Sequence, residues 1–323
     1  RVHGESIADI VTLELNELKS WIQKNTWGVV AKEIVNKIEV QVVLLDDLGL
    51  GHLTLDRSAK SLRASEIQRI RLANQILVSL SDVLYVFDEP SIGLHPEEND
   101  RLIYYLRQLV NKGNTVIVVE HDLDIITSAD HIIEIGPAAG VNGGEVIYNG
   151  SYNDFIHQVQ LREYSPTYRA IKSVTLSSKK KMCSSSQLIS ETDSQRPKAI
   201  HLKNCHERNL KNINVDFQLG KLNVVSGKSG VGKSSLVKGI LLKVVRDQLG
   251  IEIEGIPKLS SHENIDAINK LIFIDHSPIG KTPRSNPATY LGISDYIREI
   301  YANLPESKTQ GFTKSRFSFN TPN

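Results

Sequence analysis

The chain has little with which to staple or anchor itself. Its 323 residues include two cysteines, Cys183 and Cys205, too few for a disulfide framework or a four-cysteine zinc site. No apolar run approaches the roughly 20 residues that a membrane-spanning helix needs. The opening Arg1-Val2-His3-Gly4-Glu5-Ser6 lacks both the basic start and the apolar core of a secretory signal. Charge of one sign is missing too. Lys and Arg number 38 against 37 Asp and Glu, a net charge of +1. That excludes a basic nucleic-acid tail or an acidic solvating chain as the main theme. What remains reads as a soluble, cytoplasmic protein of a reducing compartment, about two domains long. With 40% hydrophobic and 23% charged residues it can bury a real core. Arg1 where a methionine would start, and a last Asn320-Thr321-Pro322-Asn323 in mid-phrase, read as a piece of something longer.

Hydrophobic spacing organises the chain. Ile7, Ile10, Val11, Leu13, Leu15, Leu18 and Trp21 predict helix, and a second amphipathic stretch covers about 31–48. Gly49 and Gly51 then break the pattern. Ile67, Ile70, Ala73, Ile76, Leu77 and Leu80 share one face of a helix over 65–80, where Ser65 and Gln68 have the form of a capping box. A strand at 83–87 is apolar on both faces, as buried parallel strands are. A helix over 97–111, Gly113 and a strand at 115–119 follow, which implies a parallel α/β sheet. Residues 151–197, with Ser177-Ser178-Lys179-Lys180-Lys181 and Ser184-Ser185-Ser186, read as a linker. A new α/β unit starts after it: strands near 213–217 and 222–225, a glycine-rich loop, then a helix from Lys233. From Ser277 onward the chain is rich in Pro, Ser and Asn and carries a net charge of +3.

Gly227-Lys228-Ser229-Gly230-Val231-Gly232-Lys233-Ser234 fits the phosphate-loop pattern G-x-x-x-x-G-K-[ST], between a buried strand and a helix. Gly227, Gly230 and Gly232 let backbone amides wrap an anion, and the helix N-terminus adds partial positive charge. Lys233 reaches the β- and γ-phosphates in such a loop, and Ser234 holds Mg²⁺.

Asp88-Glu89 closes the first apolar strand. In a phosphoryl-transfer site an acid there binds Mg²⁺, which makes Asp88 with Ser234 the candidate metal ligands, and the adjacent Glu89 activates the attacking water. A surface Asp-Glu before the Pro90 turn is the plainer alternative. His121 ends the next strand, where an imidazole can bond a terminal phosphate or the attacking water. Alone it is as consistent with a structural histidine. Two buried strands ending in Asp-Glu and in His favour catalysis. The order is unusual, because a phosphate loop normally precedes its acidic strand. The economical inference is two nucleotide-binding modules each cut in half, with neither complete here.

The residues then match a family. Ser61-Leu62 with Glu66-Ile67-Gln68-Arg69-Ile70-Arg71-Leu72-Ala73, the run from Val83 to His95, and the run from Gly113 to Asp122 resemble ATP-binding-cassette ATPases of the UvrA type. These are the DNA-damage-recognition proteins of the bacterial nucleotide-excision-repair excinuclease. Asn209-Leu210-Lys211-Asn212-Ile213, the run from Ile274 to Tyr290 and Arg316-Phe317-Ser318-Phe319-Asn320 are similar to the same family. The resemblance implies an α/β, P-loop ABC-type ATPase: the C-terminal half of a first cassette (1–150), a linker (151–197) and the N-terminal half of a second (198–323). Asp88, Glu89, Ser91 to His95 and His121 would be Walker B, D-loop and switch-histidine elements. Gly227 to Ser235, Ser235 included, would be the second Walker A, and His276 falls at the Q-loop glutamine. It also implies ATP and Mg²⁺ as cofactors. Zinc belongs to the family, but this chain holds no zinc site. DNA, a UvrB-like partner and a self-dimer are the implied partners, with no membrane and a place in the SOS response to DNA damage.

The signature departs from the family's Leu-Ser-Gly-Gly-Glu and reads Leu62-Arg63-Ala64-Ser65-Glu66. Cβ atoms at 64 and 65 crowd a place that favours glycine. With His276 for glutamine, this predicts weakened hydrolysis at the composite site that the signature and the Lys233 loop would share. For this chain alone the expectation is weak nucleotide binding and negligible turnover. Three other readings stay open: a UvrA-like paralogue in drug resistance or regulation, a decayed fragment, and a transporter ATPase. The motif between Ser277 and Tyr290 speaks against the transporter.

Overall fold

The computed structural model describes residues 1–78, 80–177, 198–275 and 286–318. They form two compact units, one of Arg1–Ser79, Gly93–Arg101 and Asp275–Asn323, the other of Leu80–Ile92 and Leu102–Ile274.

The first unit is helical. Its N-terminal periodicity forms not one helix but two, Ile7–Val11 and Leu15–Lys24, followed by Val29–Leu45. The Ser6 hydroxyl and Asp9 carboxylate cap the first, and the short turn at Thr12 to Glu14 lets Val11, Leu15 and Leu18 all reach the core. The chain after Asn286, expected as a basic tail, folds into helices Pro287–Tyr290, Ile293–Ala302 and Pro305–Thr309. Ile293, Ile297 and Tyr301 are buried there, and the Tyr301 hydroxyl donates to the Glu5 carbonyl at 3.0 Å. Two of its cations already have anions: Arg298 pairs with Asp295 and Lys314 with Glu299.

Among the described residues the second unit carries nine strands: β1 Val83–Asp88, β2 Thr115–Val119, β3 His131–Gly136, β4 Glu145–Ser151, β5 Ala199–Cys205, β6 Ile213–Gln218, β7 Leu222–Ser226, β8 Ser261–Glu263 and β9 Lys270–Ile274. Six make one sheet in the order β4-β3-β7-β2-β1-β9, with every pair parallel except β3 with β4. β6, β5 and β8 form a smaller antiparallel sheet. Alternate residues of the large sheet, among them Leu84, Val86, Ile117, Val119, Ile133 and Val225, share a core with Leu236 and Ile240 after the phosphate loop and with Val215 and Phe217. Tyr85 and Phe87 are fully buried as well, so the central strands face no water on either side.

The large sheet departs most from the expected organisation. Its strands come from both sides of 151–197: β7, which leads into the phosphate loop, lies between β2 and β3, and β9 flanks β1. The physical reason is edge satisfaction. β2 and β3 are buried throughout and would leave ladder groups unpaired in an apolar interior unless another strand slid between them. Strands from both sides of residues 151–197 are thus needed to build one sheet.

The stretch expected as linker is helical where it is described: Tyr152–His157, Leu161–Tyr164 and Pro166–Ser177. Ser151 caps the first of these. Glu134 on β3, fully buried, accepts from the Ser165 hydroxyl and, at 3.1 Å, from the Thr167 amide. Residues 178–197 lie outside the described residues.

Candidate nucleotide site

Parallel strands bring their C-terminal ends to one edge of a sheet, where α/β proteins bind ligands. Asp88 is level with Val119, and Val119 with Val225, so the chain leaves β1, β2 and β7 side by side. Those exits carry Asp88 and Glu89, Glu120 and His121, and the phosphate loop.

The loop needs its glycines. A Cβ on Gly227 (φ +133°) would lie 2.2 Å from the Ile135 carbonyl oxygen, and one on Gly232 (φ +119°) 2.8 Å from Leu210 Cδ2. The chain turns helical from Lys233. A neighbouring segment braces the loop: the Gly140 amide donates to the Gly230 carbonyl at 3.1 Å and the Gly144 amide to Val231 at 3.0 Å. The Asn209 carboxamide donates to the carbonyls of both Gly140 and Gly230. No pattern in the sequence marks Asn209 for this task beyond the family motif it sits in.

Lys233 is buried, and its ammonium donates to the carbonyls of Gly227 at 2.8 Å and Lys228 at 3.2 Å. Burial holds it below the ordinary lysine range, opposed by the charges of Glu89, Asp88 and Glu120. A cation in this setting gains from an incoming phosphate. Ser234 is exposed at the helix start, and Ser235 is buried.

Asp88 pairs with the Lys238 ammonium at 2.6 Å, and that ammonium also lies 5.5 Å from the centre of the Phe273 ring. Glu89 adopts φ +50°, a region that a side-chain-bearing residue occupies at a cost, and its amide donates to the Val119 carbonyl at 2.9 Å. The His121 ring, mostly exposed, places Nδ1 3.8 Å from Glu89 and 3.7 Å from Glu120. Among the site residues expected from sequence, Asp88, Glu89, His121, Gly227, Gly230, Gly232, Lys233, Ser234 and Ser235 thus share one unit. Glu120 and Lys238 are the additions.

The signature-like residues belong to the helical unit. Leu62 is buried, and the helix Ala64–Leu77 starts one residue earlier than expected, with Arg63 at its N-cap. Ser65 therefore sits inside the first turn, and the capping carboxylate is Glu66, which accepts from the Arg63 amide at 2.7 Å. Glu66 is buried and also meets His52 Nε2 at 3.1 Å. Burial alone would raise its carboxyl, but the Arg63 amide and His52 bring it below the ordinary glutamate value. His276 lies outside the described residues. Asp275 before it pairs with Arg71 at 2.7 Å. Among the described residues no group of His, Cys, Asp and Glu could hold a metal ion by itself, and no helix is long and apolar enough to cross a membrane.

The parallel sheet and phosphate loop have the fold of the P-loop ATPases of the ABC type. Over nearly all of its length the chain is of the UvrA type. It is 46% identical to UvrABC system protein A of Lactiplantibacillus plantarum over 99% of this chain and 33% of that protein. To the protein of the same name from Streptococcus mutans it is 44% identical, over 98% of this chain and 32% of the other. The solved structure of UvrA2 from Deinococcus radiodurans aligns over 99% of this chain and 39% of its own, at 32% identity and a TM-score of 0.49. The chain therefore spans about a third of the length of the curated relatives it matches. No family model matches it.

Proposed function

We propose that the chain binds Mg·ATP at the Lys233 loop and turns it over slowly, as the nucleotide-driven part of a UvrA-like protein of nucleotide excision repair. The observation that carries this reading is that β1, ending in Asp88 and Glu89, and β7, leading into the Lys233 loop, reach the same edge of one sheet. Amides of 227–234 wrap the β-phosphate, and Lys233 swings from its own loop carbonyls to the γ-phosphate. Asp88 and the Ser234 hydroxyl are the hard oxygen donors that suit Mg²⁺, and Asp88 already attracts a cation in Lys238. Bound magnesium would supply charge neutralisation at the β- and γ-oxygens. Glu89 takes the proton of the attacking water, and His121 orients that water or the γ-phosphate. Binding of DNA under control of ATP, a UvrB-like partner, self-pairing and a cytoplasmic place belong to the same proposal, supported by the relatives' membership of a UvrABC system.

Titration with a fluorescent ATP analogue in excess Mg²⁺ tests the core of the proposal. Lys233→Ala should weaken binding by about thirtyfold or more, as expected when a buried charge-assisted contact is lost. Equal binding by that variant and the parent would refute the site.

The signature motivates a second reading. Arg63, Ala64 and Ser65 stand where the family clasps phosphate with serine and glycines, which fits a paralogue doing no repair. Complementation of an excision-repair mutant by the intact gene separates the two.

A further inference from the structure

We infer that Glu120 is a positioning residue: its carboxylate ties the turn after β1 to the turn after β2, so that Glu89 and His121 present themselves to the nucleotide together. The inference rests on the nucleotide-site reading and adds to it a residue without any direct role in the chemistry.

Glu120 has no solvent exposure. A buried carboxylate is costly unless hydrogen bonds replace its water. Here four donors do so, and they come from two separate turns. Oε1 accepts from the Ser91 amide at 2.9 Å and the Ser91 hydroxyl at 2.5 Å. Oε2 accepts from the amides of His121 at 2.8 Å and Asp122 at 3.1 Å. Ser91 follows Glu89 by two residues, and His121 follows Glu120 directly. One side chain therefore fixes the backbone on both sides of the Glu89–His121 pair. Asp122 extends the arrangement by capping the next helix, accepting from the amides of Asp124 and Ile125. A glutamine cannot replace Glu120: one of its two terminal groups must be NH₂, which would face donors on either side.

The test uses the whole ¹⁵N-labelled chain with Glu120→Gln and the milder Ser91→Ala. Amide exchange is read first, without nucleotide. Both variants should speed exchange at His121 and Asp122 by about tenfold, with Val118 unchanged, because a bond to a buried charge is lost while the strand is kept. In Ser91→Ala this change crosses from one turn to the other. The His121 ring resonances are then followed as Mg·AMP-PNP is added. The parent should show them moving together with the Ser91 amide. Glu120→Gln should still bind nucleotide through the Lys233 loop, yet lose the His121 response. Parent-like exchange at His121 and Asp122 in a folded variant, or a His121 response that survives Glu120→Gln, overturns the inference. Failure of the parent to bind nucleotide counts against the nucleotide site instead, and the exchange data still decide the tie. If Glu120→Gln does not fold, Ser91→Ala decides alone.

Discussion

At the scale of single residues, Lys238 and Asp88 compete with the chemistry proposed around them. An ammonium 2.6 Å from the carboxylate that would help to hold Mg²⁺ must move before the metal arrives. The pair is partly solvated on the lysine side, so it is worth about 1 kcal/mol. Lys238→Met should therefore lower the Mg²⁺ concentration for half-maximal binding of an ATP analogue by about fivefold. A magnesium titration at fixed nucleotide measures this, and a rise in the Mg²⁺ requirement would mean that Lys238 assists binding. The site was unevenly legible from sequence at this scale. The phosphate loop, Asp88-Glu89 and His121 announce themselves because local pattern and chemistry coincide there. Glu120 does not: in Val118-Val119-Glu120-His121-Asp122 it looks like any polar residue leaving a strand. Its role exists only because Ser91, 29 residues away, folds onto it.

Secondary-structure elements show the same division. β1, β2 and β7 are plain from their double-sided apolar runs. The helices between Tyr152 and Ser177 are not, because their hold on the fold comes from a few polar contacts and aromatic edges rather than from periodicity. Phe155 packs edge-on to Tyr148 and Tyr168, and Glu134 reaches up to Ser165 and Thr167. Glu134→Ala leaves the Thr167 amide without its acceptor in a dry site, which should cost about 2–3 kcal/mol in denaturant unfolding. A loss under about 0.5 kcal/mol would mean that those helices are held by the aromatic contacts alone. The signature-like helix has a pH dependence of its own. The Glu66 carboxyl is lowered in the fold from 4.5, so its stabilisation is in place above that pH. It is lost as pH falls through the folded value. Glu66→Gln should thus remove about 1 kcal/mol of stability at neutral pH and nothing at a pH where both forms are neutral. Unfolding curves of parent and variant followed from about pH 7 downward check the sign, since the difference should shrink as pH falls.

For the whole molecule the question is whether the parts before and after residues 178–197 behave as separate modules. Sequence order argues that they do, because an acid-tipped strand and a phosphate loop from one module would come in the opposite order. Strand pairing argues that they do not. β7 takes both its neighbours, β2 and β3, from before residue 178, and β9 pairs with β1. Non-local parallel pairing of this kind leaves no trace in local periodicity, since a buried parallel strand looks the same whichever neighbour it finds. The consequence is testable with two pieces, 1–177 and 198–323. The second alone can make none of the parallel pairs of the large sheet, and the first alone exposes the apolar edges of β2 and β3. Neither piece should show a cooperative thermal transition in the second unit's signal, and each should bind a hydrophobic dye. Mixed, they should regain a cooperative transition and nucleotide binding together, because the same inserted strand completes the sheet and delivers Lys233 to Asp88 and Glu89. If 198–323 alone melts cooperatively and binds the ATP analogue as tightly as the intact chain, the halves are independent, and the shared sheet is not what builds the site.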